Sequence, residues 1–313
     1  MKTVRTIADL RRALAERRRA GERIGLVATM GAFHEGHLSL MRAARRACDV
    51  VVVSLFVNPT QFNDAADLDV YPRDEDRDAA LAAELGVDYL FAPDAAHIYP
   101  TGFATTVAVS GITGGLEGAH RGHGHFDGVT TVVTKLLNIV APDAAYFGQK
   151  DAQQVAVIRR LVTDLDLPVR IEVCPIIRAD DGLALSSRNV LLSTKERERA
   201  TALHRALGAV QAVVSSGERD PGAATAAGRS QLAAAGIEPE YLELVSADTM
   251  EPVRRVRGDV LAVVAARVGP VRLIDNASIE AGPGATNGSR TSMQDHRSTG
   301  GDPVRGANQP QEA

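Results

Sequence analysis

Two imidazoles, His34 and His37, bracket Gly36 in the stretch Ala28-Thr29-Met30-Gly31-Ala32-Phe33-His34-Glu35-Gly36-His37. Imidazole nitrogens can donate hydrogen bonds to phosphate oxygens, and a glycine lets a ligand come close to the backbone. The flanks sharpen this. Ile24-Gly25-Leu26-Val27 is a short apolar run of the kind that forms a buried strand. Leu38 to Cys48 carries apolar residues at helical spacing, with arginines on the other side. Where a strand gives way to a helix, free N–H groups point outward and the helix dipole favours an anion. The pattern predicts a cradle for a nucleotide triphosphate. A metal site is the other chemistry that histidines offer. Further ligands would have to come from His120, His123 and His125, which stand in a glycine-rich loop without paired cysteines, so zinc is the weaker reading.

Such a cradle needs a scaffold, and the chain supplies one in order. Thr6 opens a helix, in a capping-box arrangement, that runs through Arg19 and is closed by Gly21. Val50 to Phe56 is a largely β-branched run, as a parallel strand covered on both faces should be. It ends in the polar turn Val57-Asn58-Pro59-Thr60-Gln61-Phe62, and ligands bind at the carboxyl ends of such strands. A helix from Asp74 to Leu85, stopped by Gly86, leads to a strand over 87–91, and Thr105 to Val109 is a further strand candidate. The loop from Ser110 to His125 holds six glycines and three histidines, a length that points to function. Asp127 is expected to cap a helix reaching about Val140. A strand over 144–147 then enters Gly148-Gln149-Lys150-Asp151, where Asp151 caps a helix through Leu165. The strand over 169–174 closes a series whose alternation predicts a doubly wound parallel sheet in an α/β fold.

Beyond Leu185-Ser186-Ser187-Arg188-Asn189 the pattern changes. One long helix, capped by Ser193, is expected to reach about Val214, and another runs from Pro221 to about Ala235. Strands over 241–245, 260–266 and 271–275 follow, which together predict a smaller α+β domain. The expected division is 1–185 and 186–281, with a tail over 282–313 whose polar, aperiodic composition predicts disorder.

Bulk composition narrows the partners. The chain of 313 residues has a formal net charge of -4, which gives no electrostatic case for nucleic acid or an anionic membrane. Aromatic residues make up 4% with no Trp, so stacking platforms for single strands are not expected. Cys48 and Cys174 lie in apolar segments and read as small core residues of a reducing compartment. No apolar run approaches membrane-spanning length and no secretory signal is evident, so the expected location is cytoplasmic.

Taken together, five motifs in order resemble the pantoate–β-alanine ligase family of the HIGH-type nucleotidyltransferases. They are Thr29-Met30-Gly31 with His34-x-Gly-His37; Phe56-Val57-Asn58-Pro59-x-Gln61-Phe62; and Tyr71-Pro72-Arg73. The last two are Phe147-Gly148-x-Lys150-Asp151 with Gln153-Gln154, and Leu185-Ser186-Ser187-Arg188-Asn189. The resemblance covers about residues 2–280 and implies a Rossmann-like first domain with ATP, pantoate, β-alanine and Mg²⁺ as reactants and cofactor. It further implies that pantoate is adenylated by ATP with loss of pyrophosphate, after which the amine of β-alanine displaces AMP.

By the same resemblance, His34, His37, Lys150, Ser186, Ser187 and Arg188 carry the chemistry, the last three as the counterpart of the KMSKS loop. Thr29, Met30, Gly31, Gly148 and Asp151 join His37, Lys150, Ser187 and Arg188 around ATP. Gln61, Gln154, Asn58 and His125 hold pantoate, Asp78 is the magnesium candidate, and the assembly is a homodimer. Neutral amides suit the carboxylate, since they orient it without a tight ion pair that would blunt its attack. The chain departs from the family where Ala28 replaces a usual proline, so the turn into the cradle is expected to lose a fixed φ. It departs again at Arg121-Gly122-His123-Gly124-His125-Phe126, which is longer than the family's loop and lacks its proline; Leu185 and Gln149 are milder variations. A nucleotidyltransferase of another substrate class and an ATP-binding sensor without chemistry stand as the competing readings.

Overall fold

Apolar residues on both sides of its strands force the first sheet to be covered twice. The computed structural model describes residues 1–62, 68–69 and 71–281. The tail expected over 282–313 lies outside the described residues, as does the side chain of His123. The chain opens with β1 (Lys2–Val4) and α1 (Ile7–Arg19), then β2 (Ile24–Thr29), α2 (Glu35–Ala47) and β3 (Val50–Leu55). Next come α3 (Glu75–Glu84), β4 (Tyr89–Phe91), α4 (Ala95–Ile98), α5 (Glu117–Arg121) and α6 (His123–Val140). β5 (Ala144–Gly148), α7 (Ala152–Asp164) and β6 (Arg170–Cys174) complete this half. Its strands form one six-stranded parallel sheet in the order β1-β4-β3-β2-β5-β6.

On β2 and β3, Ile24, Leu26, Val50 and Val52 face one core with residues of α1, α6 and α7. Val27, Val51 and Val53 face the other, with Leu40 and Met41 of α2 and Ala82 of α3. This period of two across a doubly packed sheet is what the β-branched runs predict. The direction of winding reverses at the β2–β5 pair, and a crevice opens beyond the carboxyl ends of strands at such a reversal.

Helices and strands after residue 186 build the rest. α8 (Thr194–Ala200), α9 (Ala202–Ser215) and α10 (Pro221–Ala234) precede β7 (Pro239–Ser246), β8 (Gly258–Val268) and β9 (Val271–Ala281). The three strands form an antiparallel sheet in the order β7-β8-β9. One face packs Val260, Ala262 and Val264 against Leu203, Leu207 and Val210 of α9. The other face packs Val245, Val263 and Ala265 against Ala152 and Ala156 of α7. Since Val155, Ile158 and Leu161 of that helix enter the first core, α7 is common to both.

Several local expectations are corrected. Thr105 to Val109 is not a strand: the segment lies extended against α6, where Val107 N–H donates to Thr131 Oγ1 at 3.0 Å and its carbonyl accepts from Thr130. Side-chain hydroxyls there replace the sheet neighbour that an extended segment would need. α6 begins at His123, so Asp127 is inside it and does not cap it. The long helix after Ser193 is broken at Thr201, whose Oγ1 donates to Glu198 O at 2.7 Å. Ala28 belongs to β2, paired with Ser54, so the ladder and not a proline ring holds its backbone. β9 runs on past Asp275 to Ala281, because its buried polar residues find partners instead of ending the strand.

Candidate active site

Past Thr29 the chain turns through Gly31 at φ 86° and Ala32 at φ 52° before α2 begins. Glycine adopts this left-handed conformation freely, whereas Ala32 must be held in it. Asp78 of α3 does the holding. Its Oδ2 accepts from Ala32 N–H at 2.7 Å and its Oδ1 from Phe33 N–H at 2.8 Å. Asp78 is 1% exposed, with both oxygens turned to the loop. This carboxylate is a clamp on the cradle.

His34 then caps α2. Its Nδ1 accepts from Gly36 N–H at 3.1 Å, and His37 Nδ1 accepts from His34 N–H at 3.4 Å, a reciprocal cap. An accepting Nδ1 carries no proton, so this network assigns the proton of each neutral ring to Nε2. Burial, reinforced by the charge of Lys150, pushes the His34 pKa down to about 4. Burial and the neighbouring His34 push His37 down to about 3. With ring centroids 4.2 Å apart, the two form a pair of uncharged Nε2–H donors at neutral pH.

β5 delivers the facing group. It ends at Gly148, and the 3₁₀ turn Gln149–Asp151 sets Lys150 Nζ 3.6 Å from Asp151 Oδ1. Asp151 stands at the N-cap position of α7, yet its side chain makes no cap hydrogen bond; the ion pair with Lys150 takes its place. Ser186 Oγ accepts from Arg188 N–H at 3.3 Å and opens the 3₁₀ turn Ser187–Leu191. Tyr71 and Ser187 both line one cavity.

The Asn58 turn forms a third wall. Asn58 is 1% exposed: its Nδ2 donates to Gln61 Oε1 and to Gly128 O, both at 3.1 Å, while Oδ1 accepts from Tyr99 at 2.8 Å. Both polar atoms of the Asn58 side chain are thus engaged in orienting Gln61 and the turn. Gln61 Nε2 lies 2.9 Å from Met30 Sδ, and Gln61 O accepts from His125 Nδ1 at 2.9 Å.

These walls enclose a cavity of about 1150 Å³. It gathers Met30, His34, His37, Gln61, His125, Gly148, Lys150, Asp151, Gln154, Ser186, Ser187 and Arg188. Thr29, Gly31, Asn58 and Asp78 stand outside its lining and shape the loops behind it. Sequence reasoning missed a charged cluster on the same cavity. Arg272 of β9 donates to both oxygens of Glu117 at 2.7 Å, Tyr241 donates to Glu117 Oε1 at 2.7 Å, and Arg272 Nε donates to Glu240 at 2.7 Å. Burial would push the Glu117 carboxyl up, but hydrogen bonds from Arg272 and the charge of Arg121 bring it down to about 2. The one available signal was an arginine placed between the apolar residues Val271 and Leu273 of a strand.

The chain is similar to known proteins over most of its length. The family model described as pantoate-beta-alanine ligase matches residues 2–278. A pantothenate synthetase of Cereibacter sphaeroides is 53% identical over 277 residues, covering 88% of this chain and 99% of that protein. One from Roseiflexus castenholzii is 52% identical over 282 residues, covering 90% and 100%. The crystal structure of pantothenate synthetase from Thermus thermophilus superposes with a TM-score of 0.84 at 47% identity, covering 88% of this chain and 99% of that one. The Francisella tularensis pantoate-beta-alanine ligase, solved with beta-gamma ATP and beta-alanine, gives a TM-score of 0.73 at 35% identity, covering 88% and 97%. On this similarity along nearly the whole folded chain, the chain belongs to the pantoate–β-alanine ligase family.

Proposed function

We propose that the chain condenses pantoate with β-alanine in the cavity between its two sheets, at the cost of ATP. The pantoate carboxylate attacks the α-phosphorus of ATP and pyrophosphate leaves, giving pantoyl adenylate. The amine of β-alanine, having lost its proton, then attacks the acyl carbon and AMP leaves with the carbonyl-bound oxygen. Negative charge builds on the phosphate oxygens in the first step, so donors fixed in advance are the main requirement. His34 and His37 supply neutral Nε2–H donors, Lys150 supplies a point charge, and Ser186, Ser187 and Arg188 take the leaving pyrophosphate. Met30, Gly148 and Asp151 complete the nucleotide side. Gln61 and Gln154 hold pantoate, with His125 setting the Gln61 backbone. No protein nucleophile is required, because ATP supplies the activation, and the second step rests on proximity.

Among the described residues no group of three His, Cys, Asp or Glu side chains could hold a metal ion. Magnesium would be carried by the triphosphate itself, the usual manner for this ion. The division at residues 185 and 186, a homodimer and a cytoplasmic location belong to the same proposal. Among the described residues no helix is long and apolar enough to cross a membrane.

The observation that carries this reading is the shared cavity, in which the imidazole pair, Lys150, Arg188 and two uncharged glutamines all appear. AMP formation from ATP, measured with pantoate and β-alanine each omitted in turn, tests it. AMP is expected only with both present, and pyrophosphate exchange with pantoate alone. His34→Ala and Lys150→Ala should each lower the rate by roughly a hundredfold or more. Turnover of CTP with an alcohol phosphate, or ATP binding without AMP, would overturn the reading.

A further inference from the structure

Asp275 and Asn276 are consecutive polar residues in β9, 4% and 3% exposed, yet the reaction above gives neither of them a task. Buried polar groups cost stability unless they are hydrogen-bonded, so their partners are informative. Asp275 accepts from Arg178 twice, Oδ2 from Nη1 at 2.6 Å and Oδ1 from Nη2 at 3.0 Å. Arg178 also donates to Gly182 O at 3.1 Å and pairs with Ala184 across a small hairpin. Leu185 N–H closes that hairpin on Ile177 O at 2.9 Å, and the next residues are Ser186, Ser187 and Arg188. Asn276 grips a different loop. Its Nδ2 donates to Gln149 O at 2.9 Å and Lys150 O at 3.0 Å, and its Oδ1 accepts from Gln149 Nε2 at 3.2 Å.

Two neighbours on one strand thus hold the two loops that bear the cationic groups of the cavity. We propose that Asp275 and Asn276 are positioning residues for adenylation. Through Arg178 and through the Gln149–Lys150 carbonyls, they fix the spacing of the Arg188 loop and the Lys150 turn across the triphosphate. This rests on the reading of Lys150 and Arg188 as phosphate-facing groups. The strand acts as a gauge: with either anchor gone, the loop keeps its sequence but loses its distance from the other.

A double-mutant cycle read by ATP binding separates this role from plain structural support. In the otherwise unaltered full chain, Asn276→Ala should weaken ATP binding by roughly fivefold to tenfold, within the coupling seen for residues in contact. In a Lys150→Ala background the same change should cost less than about twofold, because the group that it positions is absent. Asp275→Asn should behave the same way against Arg188→Ala. Thermal melts check that each variant folds. Asn276→Ser, which keeps one donor, should restore part of the loss and replaces Asn276→Ala in the cycle if the latter fails to fold. Equal losses in both backgrounds, or no loss in the native background, would overturn the proposal. Calorimetry with ATP alone gives this answer whatever the second substrate is. A chain that binds ATP and forms no AMP with pantoate and β-alanine together would sink the functional reading while leaving the cycle intact.

Discussion

A histidine that caps its own helix has one nitrogen left for a ligand. At His34 the Nδ1 is held by Gly36 N–H and the Nε2–H is the chemical end, so the two duties can be separated by substitution. His34→Asn keeps an acceptor at the cap, and asparagine is among the best N-caps, so the melting temperature should stay within about 2 °C. The shorter side chain cannot reach where Nε2 sits, and AMP formation should fall by roughly a hundredfold. His34→Gln offers an amide N–H nearer that point but gives up the cap, at a cost of about 0.5–2 kcal/mol. It should therefore be the less stable and the more active of the two. Melts and rates measured on both variants decide it, and the reverse ranking would leave His34 a cap only. The pair was legible in the sequence because residue type and spacing alone place it at a helix start. The loop-clamping bonds of Asn58 and Asp78 were not legible for the opposite reason: they depend on Gly128, Tyr99, Ala32 and Phe33, partners remote in sequence that no local pattern indicates.

Between elements, α6 closely approaches the turn over Pro59–Gln61, whose Gln61 is proposed to hold pantoate. A Cβ on Gly128 would lie 2.4 Å from Thr60 O and 2.7 Å from Gln61 N, both backbone atoms with no freedom to step aside. Gly128→Ala gains up to about 1 kcal/mol of helix propensity, yet it must push the turn and Gln61 away. The expected result is a KM for pantoate raised by roughly tenfold with a much smaller change for ATP. Steady-state kinetics with each substrate varied would test it, and an equal rise for both would contradict it. Strands such as Val50–Leu55 were legible because β-branched runs with two buried faces leave little choice. Thr105 to Val109 has a similar composition, but it found hydroxyls of α6 instead of a strand, an outcome fixed by tertiary contacts. β9 was cut short for a related reason, since Asp275 and Asn276 look like an ending until Arg178 and Gln149 are brought to them.

Over the whole molecule, the buried histidines dominate the response to acid, against an opposite contribution from Asp78, whose carboxyl pKa is raised by burial. The pKa values of His34, His37 and His125 fall from 6.5 to about 4, 3 and 4, chiefly through burial. Unfolding returns them to their ordinary value, so below 6.5 the unfolded chain binds more protons and stability declines as the pH falls toward 3. Glu117, held near 2 against an ordinary 4.5, adds a loss in the same direction at the acid end. Urea midpoints should therefore drop steadily between about pH 7 and about pH 4, and a flat profile would show histidines that titrate normally.

The helix shared by the two cores has a consequence of its own. Val155 and Ile158 look into one interior while Ala152 and Ala156 look into the other. Warming that loosens either interior withdraws a packing partner from its neighbour, so the melt should run as a single concerted step. A slow heating scan would then trace one calorimetric peak, with both halves of the phosphate grip lost together.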